Sequence, residues 1–167
     1  KEYNEDEILD LVDFAINKEL DISFIEEMPL GVISSHQRSE CYISSDEILE
    51  IINNVYETTA SNYQTGGPSR YLNIAASKTN IGFISPHSDN FCETCNRVRL
   101  TAEGRLLLCL GNENSVDLRG VIRSNKVNDK TLSDLIKTSV KIDKPEKHYF
   151  DFDMEPQVLR FMNATGG

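Results

Sequence analysis

FCETCNRVRLTAEGRLLLCLGNENSVDLRGVIR, residues 91–123, is the stretch on which the reading of this chain turns. Its cysteines are spaced Cys92-x2-Cys95-x13-Cys109. A CxxC pair lets two sulfurs face one ion across a tight turn. The residues that follow, RVRLT-AEG-RLLLCL over 97–110, have the composition of a hairpin turning at Glu103-Gly104. Strands paired about that turn set Cys109 opposite Arg97 or Val98, within about three residues of Cys95 at roughly 3.3 Å per strand residue. Local geometry returns the third sulfur to the first two and predicts a metal centre held by Cys92, Cys95 and Cys109.

The identity of the metal is a choice between two chemistries. Structural zinc closes with four protein ligands. A fourth cysteine at mirrored spacing is missing, and His87, five residues before Cys92, is the residue that would complete such a site. A 4Fe-4S cluster on three thiolates instead leaves one iron open to substrate, which suits the adjacent arginines. Arg97 and Arg99, two apart on a predicted strand, share a face, and Val98 and Leu100 are expected to turn into the core. Two guanidinium groups beside a metal suit phosphates or a purine edge. Arg105 is left without a role. Cys41 reads as an incidental buried thiol, and His36, His87 and His148 as surface or capping residues.

Upstream, residues 4–18 place Ile8, Leu11, Val12, Ala15 and Ile16 on one helical stripe, with Asn4 as the expected N-cap. ISFIEEM, residues 22–28, reads as a short buried strand ended by Pro29 and Gly31. Helix then strand at the start is what remains when a repeating α/β protein is cut open. Residues 32–45 look irregular, and a second helix is expected over about 45–59 behind Ser44-Ser45-Asp46 and Glu47. Gly66-Gly67-Pro68 marks a turn-rich linker. YLNIAA and NIGFIS read as two strands between residues 71 and 85. Helices are expected at about 116–124 and 131–141, and QVLRFMNATGG ends the chain as a strand-like piece and a bare Gly166-Gly167.

The whole chain, 167 residues, has room for one domain or for a domain plus a piece of another. Its net charge of −10 repels phosphate backbones and acidic lipids, which argues against general nucleic-acid or membrane binding. The acid is uneven: Asp and Glu crowd residues 2–50, whereas Arg97, Arg99 and Arg105 lie among the cysteines, as suits a small anionic ligand. No apolar run is long enough to cross a bilayer, and no leader is evident. Three clustered cysteines and one apart do not read as a disulfide framework. A reducing, cytoplasmic compartment is the expectation. Lys1 in place of an initiator methionine suggests a processed chain or one cut from something longer.

Residues 91–123 closely resemble the C-terminal cluster segment of the MoaA family, the radical-SAM GTP 3′,8-cyclases of molybdenum cofactor biosynthesis. FIEEMPLG (24–31), GFISPHSDNF (82–91) and the terminal Gly-Gly are similar to that family too. The resemblance implies an α/β chain: the last helix–strand elements of an incomplete (β/α) radical-SAM barrel in residues 1–35, then an α+β C-terminal domain with a second iron–sulfur site in 36–167. It implies that a 4Fe-4S cluster on Cys92, Cys95 and Cys109 offers an open iron to GTP. It also implies that Arg97, Val98 and Arg99 contact GTP, that Met28 lines the S-adenosylmethionine site, and that the Gly-Gly tail reaches the active site. S-adenosylmethionine and a second 4Fe-4S cluster belong to a CxxxCxxC motif that these residues lack, so the chain alone is expected to be inactive and none of its residues is read as catalytic. Ser23 stands where the family typically has Arg. The alternative is a zinc-stabilised nucleotide- or protein-binding module without catalysis. A further expectation concerns Ile8, Leu11, Val12, Ile16, Phe24 and Ile25: without the rest of a barrel they should lack cover, leaving residues 4–30 mobile or packed on a second copy as a homodimer, with the real core in 70–165.

Overall fold

In a computed structural model, the described residues are 1–31, 34–35, 37–124, 128–142 and 144, and they are mixed α/β. They fall into two compact units, Lys1–Met28 with Ser35–Phe91, and Pro29–Ser34 with Cys92–Gly167. The tail from residue 145 and His36 lie outside the described residues, and with them the expectations for His148, QVLRFMNATGG and Gly-Gly.

In the first unit, a 3-10 turn at Glu5–Glu7 leads into α1, Ile8–Lys18. Asn4 precedes that turn and makes no side-chain cap, so the predicted capping role is not found. α1 ends at Glu19, whose left-handed φ of 52° lets its N–H reach the carbonyls of Ala15 and Ile16. β1 is Ile22–Ile25, shorter than predicted because Glu26 leaves the strand for a polar network described below. A short α2, Arg38–Cys41, occupies the stretch expected to be irregular. α3, Ser45–Asn53, opens with a capping box in which Ser44 and Glu47 satisfy each other's backbone N–H. It stops earlier than expected: Thr58–Ala60 forms β2, where β-branched threonines pair with β3 instead of extending the helix. β3, Arg70–Ile74, and β4, Asn80–Ile84, are the two predicted strands, antiparallel to each other.

The strands make a sheet of order β1-β4-β3-β2, with β1 parallel to β4 and Ser23 beside Gly82. That pairing corrects the expectation of an uncovered N-terminal stripe. Ile8 and Val12, 4% and 0% exposed, pack with Ile48 and Ile52 of α3 and with Ile74, Ile81 and Phe83 of the sheet. Ile16 and Phe24 border the same cluster. Only Leu11 and Ile25 of the six named side chains are exposed. Residues 45–83 provide the cover, so the N-terminal stripe shares a core rather than waits for one.

In the second unit, β5 (Arg99–Leu100), β6 (Arg105–Leu107) and β7 (Ser115–Asp117) form an antiparallel sheet in that order. α4, Leu118–Arg123, starts later than predicted because Ser115–Asp117 pairs with β6; the Asp117 carboxylate then caps it from the Gly120 N–H. α5, Asp129–Ile142, agrees with the expected helix. Leu106, Leu108 and Leu118 form the core, bordered by Val116 and by Leu132, Leu135, Ile136 and Val140 of α5. The turn between β5 and β6 requires Gly104: its φ is +78°, and an added Cβ would lie 2.7 Å from the Arg119 Cβ. The Gly104 carbonyl also accepts from the Arg119 N–H at 3.1 Å, seating α4 on the turn. Gly104→Ala should lower stability by roughly 2–4 kcal/mol, from left-handed strain plus overpacking, read as a fall in the urea midpoint; an unchanged midpoint would show that α4 can shift aside freely.

Candidate metal centre and its surroundings

The hairpin forms as expected, with Arg99 opposite Leu107 and Leu100 opposite Leu106. Continued by two residues, this register brings Arg97 opposite Cys109. Cys92–Thr94 is a 3-10 turn, and the Cys95 N–H donates to the Cys92 carbonyl at 3.1 Å, folding the CxxC pair onto itself. Cys109 lies where β6 ends, and its sulfur accepts from the Gly111 N–H at 3.3 Å. All three are half-buried free thiols. Burial pushes the Cys109 thiol above its ordinary range, and the neighbouring Cys92 and Cys95 add to that rise, so the three share one neighbourhood. Among the described residues, however, no group of three or more His, Cys, Asp or Glu closes into a metal-holding geometry. The donor set fits a thiolate-bound metal or cluster, and an ion is what draws repelling thiolates to one point.

Lys144, just past α5, completes this neighbourhood. Its Nζ donates to the carbonyls of Arg97 at 2.5 Å and Leu108 at 2.8 Å and stands 4.0 Å from the Cys95 sulfur. The sequence contains no local signal for this approach.

The arginines are placed less regularly than the strand reading implies. β5 includes Arg99 but not Arg97. Arg97 is exposed and Arg99 half-buried. Val98 and Leu100 do not enter the core; they are 41% and 61% exposed. β5 is an edge strand, and the core described above is made by β6 and β7 with the two helices, so nothing obliges β5 to contribute to it. Arg105 ties β6 to β7 by donating to the Ser115 hydroxyl at 2.7 and 3.1 Å.

The first unit carries a second polar constellation at the C-terminal end of β1. Glu26 is 2% exposed. Its Oε1 accepts from the Ser45 N–H at 2.9 Å and the Ser88 hydroxyl at 2.5 Å; its Oε2 accepts from the N–H groups of His87 and Ser88 at 3.0 and 3.1 Å. Burial alone would raise its pKa, but these donors outweigh it and hold the carboxyl below the ordinary range. The same burial and the Glu26 charge push the Tyr42 phenol well above its own. His87 makes a 2.8 Å hydrogen bond through Nε2 with the Glu27 carbonyl and meets the Tyr42 ring edge-on at 5.4 Å. Met28, half-buried, follows this network. Ser23 lies on the opposite sheet face from Phe24, its hydroxyl 3.2 Å from that of Ser69, and the two close over Gly82 so tightly that a Cβ there would lie 2.4 and 2.2 Å from them. Sequence reading missed Glu26; the only hint was the acidic pair Glu26-Glu27 near the end of a stretch read as a buried strand. Cys41 is a half-buried free thiol at the end of α2.

Comparison with known proteins agrees with these features. The Molybdenum Cofactor Synthesis C family matches residues 20–150. The chain is 55% identical over 167 residues to a GTP 3′,8-cyclase of Saccharophagus degradans, covering 100% of this chain and 50% of that protein. It is 55% identical over 165 residues to a GTP 3′,8-cyclase of Pseudomonas putida and 52% over 164 to one of Marinobacter nauticus, covering 98% of this chain and 49% of each relative. The chain thus spans about half the length of the curated relatives it matches.

Proposed function

The chain belongs to the Molybdenum Cofactor Synthesis C family, and on that premise we propose that it is the GTP-binding portion of a GTP 3′,8-cyclase that converts GTP to 3′,8-cyclo-7,8-dihydro-GTP. The observation that carries this reading is the thiol neighbourhood of Cys92, Cys95 and Cys109 beside Arg97 and Arg99, in a chain 55% identical to enzymes of that name. In this reading the three thiolates hold a 4Fe-4S cluster, which when bound supplies an open iron to the guanine. Arg97 and Arg99 bind and orient the nucleotide by charge-assisted hydrogen bonds, and Val98 between them in the chain also contacts it. Met28, three residues past β1, lines the S-adenosylmethionine site. The helix–strand elements within residues 1–35 then finish the barrel, covered by residues 45–83, and the cluster and GTP site lies within 36–167.

The radical has another source. These residues contain no CxxxCxxC, so cleavage of S-adenosylmethionine belongs to a further part of the protein. Among the described residues, no helix is long and apolar enough to cross a membrane, and the free thiols support a reducing, cytoplasmic setting.

The test compares a longer protein containing both cysteine sets with this chain. The longer protein, given S-adenosylmethionine, reductant and GTP, should form the cyclised nucleotide; this chain alone should form no 5′-deoxyadenosine. Arg97→Ala or Arg99→Ala should weaken GTP binding by at least about tenfold with iron content intact, each charged hydrogen bond contributing roughly 1.5–3 kcal/mol. Unchanged affinity in both variants would remove GTP recognition from this segment.

A further inference from the structure

We propose that Lys144 is a positioning residue for the three-thiolate site: it clasps the two arms that carry the cysteines and sets a fixed positive charge beside their sulfurs. This rests on the reading of Cys92, Cys95 and Cys109 as cluster ligands. Regular pairing between β5 and β6 ends at Arg99 and Leu107. Beyond it the arms would be free to part, just where one leads back to Cys95 and the other on to Cys109. The Lys144 ammonium takes the carbonyl of Arg97 from one arm and that of Leu108 from the other, at 2.5 and 2.8 Å. It thereby replaces the next rung of the ladder with a charged bridge. The third direction from Nζ is toward the Cys95 sulfur at 4.0 Å.

Two consequences follow from one side chain. The carbonyls hold the ammonium in place, so its charge is not averaged away by motion of the lysine stem. Each electron added to a thiolate-bound cluster adds negative charge to a site whose protein ligands are already anionic, and a nearby fixed cation favours the reduced form. Arginine keeps the charge and can donate to both carbonyls; glutamine keeps a donor without the charge; methionine keeps the length alone.

The experiment uses the full-length holoenzyme, with the cluster signal that disappears in Cys109→Ala taken as this site's. It is titrated with dithionite under argon, and iron loss to a chelator is timed. Lys144→Met and Lys144→Gln should shift the one-electron reduction equilibrium at least tenfold against the reduced form, about 59 mV more negative. Lys144→Met should also release iron at least tenfold faster, and Lys144→Arg should restore both. A wild-type potential in the Met and Gln variants overturns the proposal while leaving the cluster reading intact. So does a Lys144→Arg variant that fails to hold iron, since size and not charge would then be required. A wild-type holoenzyme with no Cys109-dependent signal overturns both together.

Discussion

Glu26→Ala is expected to lower the stability of the first unit by roughly 4 kcal/mol or more. The carboxylate is buried and accepts from the N–H groups of Ser45, His87 and Ser88 and from the Ser88 hydroxyl. Alanine leaves those donors facing a cavity, and each buried orphan costs about 1–3 kcal/mol. That is a large share of a domain's net stability of about 5–15 kcal/mol. Glu26→Gln retains one oxygen but turns an NH2 toward N–H groups, so it should cost an intermediate amount. The pH dependence has a definite sign. The folded pKa is depressed, so the stabilisation is complete above the ordinary value of 4.5 and fades as pH falls through the lower folded value. Urea denaturation followed by circular dichroism should show wild type and Glu26→Gln converging in acid. Parallel pH curves for the two would mean that Glu26 is not the group being titrated.

If the proposed function holds, Cys109→Ala should remove the cluster assigned to this site in the full-length protein and with it GTP cyclisation. Loss of an outer-shell partner alone typically costs about 10–100-fold in metal affinity or activity, and Cys109 would be a direct ligand. Two thiolates on a CxxC turn cannot hold a cluster that needs three. Iron and sulfide analysis should fall by one cluster's worth, while Cys41→Ala, altering a thiol outside the cluster reading, keeps full iron. Retention of all iron by Cys109→Ala would exclude this cysteine as a ligand. Cleavage of S-adenosylmethionine should persist in the variant, because the proposed function assigns it to a separate cluster with its own cysteines.

The amino-acid sequence by itself determined what short-range chemistry controls. The hairpin about Gly104 was legible because only glycine suits a φ of +78° there, and the flanking residues pair across a few positions. Its register explains why Cys109 returns to the CxxC pair. The amphipathic spacing of α1, the strands β3 and β4, and most of α5 were likewise visible, since each follows from neighbours in the chain. Tertiary structure decided the rest. The parallel pairing of Ile22–Ile25 with Ile81–Ile84 brings together segments nearly sixty residues apart, and no local pattern announces which strand will cover β1. That pairing supplied the cover that the N-terminal stripe was expected to lack. It also places the end of β1 near the backbone N–H groups after β4, where Glu26 can satisfy them. Val98 and Leu100 show the reverse failure: alternation predicted burial, but Val98 precedes β5 and Leu100 lies on this edge strand, and both are exposed. Lys144 reaches the cysteine-bearing arms only because α5 ends beside them. Residue spacing can specify which side chains share a turn or a face. It cannot specify which distant backbone groups must be satisfied when two segments meet.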